Sequence, residues 1–260
     1  MLRSRTVTIF VGFLLWCGSS QLVDAHESAS YSAWDSLLHS AVASGRVDYR
    51  GLQQDHGVLD AFLAGLALLD PARLPSQDAQ LAFWINAYNA CVVKGVLTHY
   101  PLKSVKDIKG FFDGIRYQVA GQSLTLNEIE AKGRAFGDWR IHFAVVCAST
   151  SCPTLRSEAY VPERLDEQLT DQVKQFLADP SRGLRLDAAN RVLWVSKVLK
   201  WYAKDFVPKG SLEVNTLLPV IEPYLNLALA QSIRRQKPTL KVLDYDWSLN
   251  VQPQREEGAR

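Results

Sequence analysis

Apolar residues recur at helical spacing along the first third of the chain. Residues 31–43 place apolar side chains three and four positions apart, and residues 59–69 repeat that pattern until Pro71 ends it. From Ser76 to His99 the chain is apolar on nearly every side, with Ser76 as the N-cap. These patterns predict a pair of amphipathic helices followed by a long buried helix.

The middle and end of the chain add strand patterns. Two pairs of short apolar segments around turn residues predict hairpins: 115–119 with 123–126, and 184–186 with 192–195. Residues 141–147, IHFAVVC, are apolar on both faces apart from His142, which predicts a fully buried strand at the centre of a sheet. Further helices are predicted at 126–132, 162–177, 198–205 and 212–225.

These elements predict one α+β domain over residues 26–250, in which a buried central helix and flanking helices pack on a small mixed or antiparallel sheet. A chain of 260 residues with 47% hydrophobic and 22% charged residues can bury such a core, which excludes intrinsic disorder. The net charge of +2 gives no electrostatic case for a nucleic-acid partner. Residues 251–260 form a polar tail that we expect to fray.

The first 25 residues have the layout of a secretory signal peptide. Arg3 and Arg5 precede an apolar run over residues 7–16, and small residues lead to a cleavage position after Ala25. The run has about half of the ~20 residues that a membrane-spanning helix needs. We therefore expect a periplasmic or secreted protein without a stable membrane span after cleavage, the periplasm being favoured. A retained N-terminal anchor is the alternative.

Common cofactor and catalytic motifs are absent from the sequence. It contains no glycine-rich phosphate loop, no G-x-S-x-G turn, no H-E-x-x-H and no dinucleotide fingerprint. A zinc site with the spacing H-x4-C-x4-C is disfavoured, because a straight strand would hold its ligands too far apart. We therefore predict no cofactor and no metal.

Four longer motifs stand out: LAFWINAYN at 81–89, IHFAVVCASTSCPTLRSEAY at 141–160, KWYAKDF at 200–206 and YDWSLN at 245–250. In order and spacing they resemble the bacterial and plant family called domain of unknown function 547, over about residues 30–250. The resemblance implies a shared fold and motif set, but no reaction. The family usually has Gly-Cys-Pro-Pro around the second cysteine, where this chain has Ser151-Cys152-Pro153-Thr154.

The cysteines allow two interpretations. Cys147 and Cys152 are close enough along the chain to meet, and an oxidising compartment favours a structural disulfide between them. Alternatively, Cys152 caps a helix that starts at Pro153, where the helix dipole makes its sulfur a nucleophile for redox or acyl-transfer chemistry. Cys91 is predicted to be a buried, inert thiol. A strand would place His142 and Cys147 roughly 16 Å apart on opposite faces, which argues against a dyad.

Polar residues on apolar elements form a second group of candidates. Asn86 and Asn89 share one face of the buried helix and need hydrogen-bond partners, as does His142, which Glu130 is placed to orient. One arrangement would satisfy all four residues by pointing the asparagines at His142 and Glu130. A buried helix followed by a strand histidine is similar in order to the papain and transglutaminase type of fold, in which a cysteine at the helix start is the nucleophile. The alternative is a polar network that only fixes the core.

Aromatic residues form the third group: Trp84, Tyr88, Trp201, Tyr202 and Trp247. They would line a pocket for a sugar or a peptide, although their spacing favours a role in the core. Lys200 and Lys204 are expected on a solvated face.

Two functions from different classes follow from these candidates. The first is an exported hydrolase or transferase acting on amide or ester bonds of the cell envelope. In it His142 is the base, Glu130 orients it, Asn86 and Asn89 position charge, and Cys152 is the nucleophile. The second is a non-catalytic binding or accessory protein for a small-molecule, peptide or glycan ligand, held together by a Cys147–Cys152 disulfide.

Overall fold

A long helix forms the centre of the first half of the fold. The computed structural model describes residues 31–207 and 210–253. Helix α4, Gln77–His99, begins where the Ser76 side chain accepts a hydrogen bond from the backbone N–H of Ala79. Its residues from Leu81 to Val93 are buried without exception, Cys91 included, which confirms the predicted buried helix and the predicted buried thiol.

Helices dominate the rest of the fold. The α-helices besides α4 are α1 (31–41), α2 (Tyr49–Gln54), α3 (Gly57–Leu68), α5 (Leu126–Arg134), α6 (Ile141–Ala144), α7 (Leu165–Ala178), α8 (Lys197–Trp201), α9 (Ala203–Phe206), α10 (Val214–Ile221) and α11 (Leu227–Gln236). Short 3-10 helices occur at Pro71–Arg73, Val105–Asp107, Pro162–Arg164 and Glu222–Tyr224. Every helix predicted between residues 31 and 225 has a counterpart, whereas α2, α6 and α11 were not predicted.

The strands within residues 31–207 and 210–253 form three small sheets. They are β1 (Val42–Ala43), β2 (Arg46–Val47), β3 (Tyr117–Val119), β4 (Gln122–Leu124), β5 (Leu184–Asp187), β6 (Val192–Val195) and β7 (Thr239–Val242). The pairs β1–β2, β3–β4 and β5–β6 are antiparallel, so both predicted hairpins are confirmed. Strand β7 adds to β6 in parallel and makes the largest sheet mixed. The α+β class is therefore confirmed.

The segment 141–147 is not the predicted central strand. Ile141–Ala144 form the short helix α6, and the chain continues in an extended form outside any described sheet. The side-chain amide of Asn89 explains this path, because it donates to the carbonyl of Ala144 and accepts from the N–H of Val146, both at 3.0 Å. Backbone groups that a neighbouring strand would have paired are thus satisfied by a side chain of α4.

Helix α6 lies between two apolar clusters. Ile141 and Ala144 pack in the first cluster, around α4, whereas Phe143 packs in the second cluster with Leu193 and Val195 of the mixed sheet. Side chains on one short helix therefore connect the two halves of the domain.

Both ends of the chain extend past the described residues. The predicted signal peptide, residues 1–25, lies outside them, as do residues 254–260 of the predicted tail. Val251 and Gln252 are attached to the domain, since Val251 pairs with Val47 and the Gln252 amide donates to the carbonyl of Ala41. Among the helices of residues 31–207 and 210–253, none has the length and apolar character needed to cross a membrane.

Removing the Asn89 amide should destabilise the domain. In Asn89→Ala, one buried carbonyl and one buried N–H lose their partners, so we expect the free energy of unfolding to fall by about 2–4 kcal/mol. Asn215→Ala, at an exposed position of α10, is the matched control and should change it by less than about 0.5 kcal/mol. Urea unfolding followed by tryptophan fluorescence measures both. Equal stabilities for the two variants would contradict the role given to Asn89.

Candidate functional site

A cavity of about 340 Å³ opens between α4, α5, α6, α8 and the segment before the C-terminus. Four of the polar and thiol candidates from the sequence contribute to its lining: Glu130, His142, Cys147 and Cys152. Most of the remaining lining is aromatic or aliphatic. A mainly apolar concave site with a few convergent polar groups is the usual form of a ligand or active site.

Cys147 follows the stretch that Asn89 holds, and its sulfur has polar neighbours. Its Sγ lies 3.0 Å from the hydroxyl of Ser149 and 3.0 Å from that of Tyr245, and these two hydroxyls are 3.0 Å apart. Burial disfavours a thiolate here, but hydrogen bonds from Cys152, Ser149 and Tyr245 outweigh it, so the pKa of the Cys147 thiol lies below its ordinary value. Cys147 is therefore the more nucleophilic sulfur at neutral pH.

Cys152 lies beside Cys147, and its thiol has a different environment. Its Sγ accepts a hydrogen bond from the backbone N–H of Cys147 at 2.9 Å. Burial, and then the neighbouring Cys147, raise the pKa of the Cys152 thiol well above its usual range. The two thiols thus behave as a pair in which Cys147 ionises first.

Two expectations for the cysteines need correction. Cys147 and Cys152 are free thiols in the structure and not the expected disulfide, since each sulfur is hydrogen-bonded in its reduced form. Cys152 is also not a helix N-cap. The chain after Pro153 is irregular as far as the 3-10 helix at Pro162–Arg164, so no helix dipole acts on this sulfur.

His142 points to the same cavity from helix α6. Its side chain is buried, its ring stacks on Tyr202 with centroids 3.8 Å apart, and its Nε2 lies 2.8 Å from the Asp205 carboxylate. The premise that His142 and Cys147 lie on opposite faces of a strand is wrong, because Ile141–Ala144 are helical and both residues line the cavity. No hydrogen bond joins His142 to a cysteine within the described chain.

The protonation of His142 follows from its surroundings. Burial is the main cause that lowers the pKa of its imidazole to about 4, and it outweighs the opposite effect of Asp205. The ring is therefore neutral at pH 7. The Asp205 carboxylate assigns the proton to Nε2, so Nδ1 has a free lone pair. Nδ1 is buried and has no hydrogen-bond partner among the described residues.

Glu130 does not orient the histidine; Asp205 takes that place. Glu130 instead interacts with the hydroxyl of Tyr202, whose ring stacks on His142. Burial raises the pKa of the Glu130 carboxyl. Burial is the main cause that raises the pKa of Tyr88. The charges of Glu130, Cys147 and Cys152 raise it further.

Asn86 and Asn89 do not line the cavity, and their side chains bind backbone groups of neighbouring segments. Asn86 donates to the carbonyl of Tyr160 at 2.7 Å, accepts from its N–H at 3.1 Å, and accepts from the indole of Trp34 at 3.3 Å. Asn89 holds the backbone just before Cys147 in the same way. The expected contacts of the asparagines with His142 and Glu130 are therefore wrong, because nearby backbone groups satisfy both amides.

The aromatic group divides between core and cavity. Trp84 is buried against Phe83, whereas Tyr88, Trp201, Tyr202 and Trp247 line the cavity. Trp201 is 47% exposed and forms the cavity edge together with Tyr245 and Trp247. Lys200 and Lys204 are exposed, as expected.

Sequence reasoning missed three functional candidates: Asp205, Ser149 and Tyr245. Asp205 and Tyr245 lie in the motifs KWYAKDF and YDWSLN, which marked them without indicating their partners. Both partners are distant along the chain, since Asp205 bonds to His142 and Tyr245 to Cys147. No group of three or more His, Cys, Asp or Glu side chains in residues 31–207 and 210–253 could hold a metal ion.

The described residues form an α+β protein whose apolar cavity is lined by two cysteines, a histidine and a glutamate. Within it the pKa values of the Cys147 thiol and of the His142 imidazole are lowered, and the pKa of the Glu130 carboxyl is raised. Residues 71–177 match the family described as "Protein of unknown function, DUF547", and the family resemblance is thereby confirmed over this segment. Comparisons with curated proteins and with solved structures found no match.

The buried neutral histidine should make stability depend on pH. The pKa of His142 is lower in the folded protein than in the unfolded chain, so the unfolded chain takes up a proton first as the pH falls. The free energy of unfolding is therefore highest above about pH 6.5. It falls by about 3 kcal/mol as the pH is lowered towards 4.

Urea unfolding at several pH values measures this dependence. His142→Gln should remove this component of the slope, whereas His39→Gln, at an exposed position of α1, is the control and should retain it. If His142→Gln retained the full slope of the unmodified protein, His142 would not be the group responsible.

Proposed function

We propose that this protein is an exported thiol-dependent enzyme that hydrolyses or transfers the acyl group of an amide or ester, with Cys147 as the nucleophile. The supporting observation is the Cys147 sulfur, which lies in an aromatic cavity within hydrogen-bond distance of two hydroxyls. Cys147 replaces Cys152 as the expected nucleophile because Cys152 is more buried and holds its proton more tightly.

The reaction would proceed in two steps through a thioester. The Cys147 thiolate attacks the carbonyl carbon, a carbon–sulfur bond forms, and the bond to the leaving nitrogen or oxygen breaks. Glu130, a cavity carboxyl whose pKa burial raises, is the group to which we assign delivery of the proton that the leaving group needs. Water or an acceptor nucleophile then cleaves the thioester and returns its proton to Glu130, and the Cys147 thiolate is regenerated.

His142 would position the incoming group in the second step. Its Nδ1 lone pair can accept a hydrogen bond from water or from an acceptor hydroxyl, because Asp205 keeps the proton on Nε2. With a pKa lowered to about 4, the ring is a weak base, so positioning suits it better than full proton transfer.

Residues 1–25 support the expectation that this chemistry takes place outside the cytoplasm. Their charge and apolar pattern are typical of a secretory signal peptide. An exported acyl-transfer enzyme would meet the amide and ester bonds of the cell envelope, which is the substrate class that we propose.

A non-catalytic binding protein is the second candidate, and one observation favours it. In the described part of the chain no hydrogen bond joins His142 to Cys147 or Cys152, so a cysteine–histidine pair is not assembled without a ligand. The same cavity would then bind a small-molecule, peptide or glycan ligand without reaction.

Hydrolysis of a small activated ester separates the two candidates. With 4-nitrophenyl acetate we expect turnover, an acetyl group on Cys147 detected by mass spectrometry of the quenched reaction, and a loss of at least about a hundredfold in rate for Cys147→Ser. Cys91→Ala, which removes a buried thiol remote from the lining of the cavity, is the matched control and should retain the rate. An unchanged rate in Cys147→Ser, or acetylation elsewhere, would contradict the proposed nucleophile.

A further inference from the structure

We infer that Cys147 and Cys152 form a dithiol–disulfide couple that exchanges electrons with low-molecular-weight disulfides entering the cavity. This activity rests on the part of the proposed function that makes Cys147 a nucleophile, and it adds a partner role for Cys152. In acyl transfer Cys152 would only help to stabilise the Cys147 thiolate. Disulfide exchange, in contrast, requires a second thiol that reacts.

The two sulfurs are neighbours in the folded chain. The Cys152 Sγ accepts a hydrogen bond from the backbone N–H of Cys147 at 2.9 Å, and each thiol contributes to the pKa shift of the other. A disulfide needs α-carbons only about 4.4–6.8 Å apart. Cysteines that are in contact while reduced can close a bond without rearrangement of the domain.

The turn between the cysteines is held on one side by the segment before the C-terminus. The N–H of Thr150 donates to the carbonyl of Ser248 at 2.8 Å, the N–H of Ser151 donates to the carbonyl of Asp246, and the Ser151 hydroxyl accepts from the N–H of Asp246 at 2.9 Å. The N–H of Cys152 donates to the carbonyl of Ser149 within the turn. These bonds keep both sulfurs at the cavity in either redox state.

The two thiols differ in exposure. Cys147 suits the role of the cysteine that attacks the incoming disulfide, and Cys152 suits the role of the cysteine that then displaces the bound half. Cys147 is partly exposed and has two hydroxyls beside its sulfur, whereas the Cys152 residue is only 5% exposed. An incoming disulfide therefore meets Cys147 first. Cys152 is shielded from solvent and from other thiols, and its nearest electrophile would be a mixed disulfide on Cys147.

The cavity limits the size of the partner. A volume of about 340 Å³ with aromatic walls admits the disulfide bond of a small molecule together with the groups beside it, and leaves less room for a disulfide held on the surface of a folded protein. We therefore assign the partner to the class of low-molecular-weight disulfides.

The exchange balances in atoms and electrons. The Cys147 thiolate, whose proton has passed to solvent, attacks one sulfur of the disulfide, forming a mixed disulfide and releasing the other half as a thiolate. Cys152 gives its proton to that thiolate and attacks Cys147 Sγ. The Cys147–Cys152 bond forms, and the second half leaves as a thiolate that takes up a proton from solvent. Two electrons pass from the protein to the small disulfide. An excess of a small thiol reverses the sequence.

Glutathione disulfide is the probe for this activity, with the reaction stopped by acid and analysed by mass spectrometry. We expect the unmodified protein to form the Cys147–Cys152 disulfide and to release two molecules of glutathione per chain. Cys152→Ser should stop as a mixed disulfide on Cys147, and Cys147→Ser should not react. Cys91→Ala is the matched control and should behave as the unmodified protein does.

The equilibrium with glutathione tests the role of the hydroxyls. Tyr245→Phe removes a hydrogen bond that stabilises the Cys147 thiolate, so the equilibrium constant should shift about tenfold towards the protein disulfide. A purely structural tyrosine would change the stability of the fold and leave this ratio unchanged.

The outcomes separate the exchange activity from the proposed acyl transfer. If the unmodified protein remains a mixed disulfide at Cys147 and never forms the internal bond, the exchange couple is overturned while the Cys147 nucleophile stands. If Cys147 forms neither a mixed disulfide nor an acetyl thioester, both are overturned. Formation of the internal disulfide without any ester hydrolysis would support the couple and contradict acyl transfer.

Discussion

The side-chain amides of Asn86 and Asn89 hold two irregular stretches of backbone against the buried helix α4. Asn89 satisfies the carbonyl of Ala144 and the N–H of Val146, and Asn86 does the same for both backbone groups of Tyr160. Buried backbone groups need partners, and where no other backbone group supplies them a side chain can do so. The amides therefore allow the chain to enter the core without regular structure. The position of Cys147, directly after the stretch that Asn89 holds, depends on this arrangement.

The same constraint explains where sequence patterns succeed and where they fail. Helix α4 and both hairpins could be predicted, because their residues alone indicate the period, the caps and the turns. IHFAVVC was assigned to a strand because a short apolar run is compatible with strand and with other buried backbone, and its length cannot decide. Its hydrogen-bond partner is an asparagine more than fifty residues earlier in the chain, which no local pattern reveals. Strand β7 was not predicted, and its partner β6 lies more than forty residues earlier in the chain.

In the candidate site, the sequence indicated the reactive residues but not their partners. Sequence reasoning selected Glu130, His142, Cys147 and Cys152 because polar and reactive side chains are unusual on apolar elements, and all four line one cavity. It assigned the wrong partners to them. The carboxylate beside His142 is Asp205, and the hydroxyl of Tyr245 comes from a segment almost a hundred residues after Cys147. Residues with unusual chemistry can be recognised one at a time, whereas their pairing depends on the tertiary fold.

The chemistry that we propose depends on the Cys147 thiolate more than on any other group. Burial alone would protonate this sulfur, and the hydroxyls of Ser149 and Tyr245 together with the Cys152 thiol reverse that effect. The most direct test is the ultraviolet absorbance of the thiolate, recorded against pH as the difference between the unmodified protein and Cys147→Ser. We predict a titration below the ordinary value for a cysteine thiol, displaced upwards in Tyr245→Phe. A titration at or above the ordinary value would contradict the central claim.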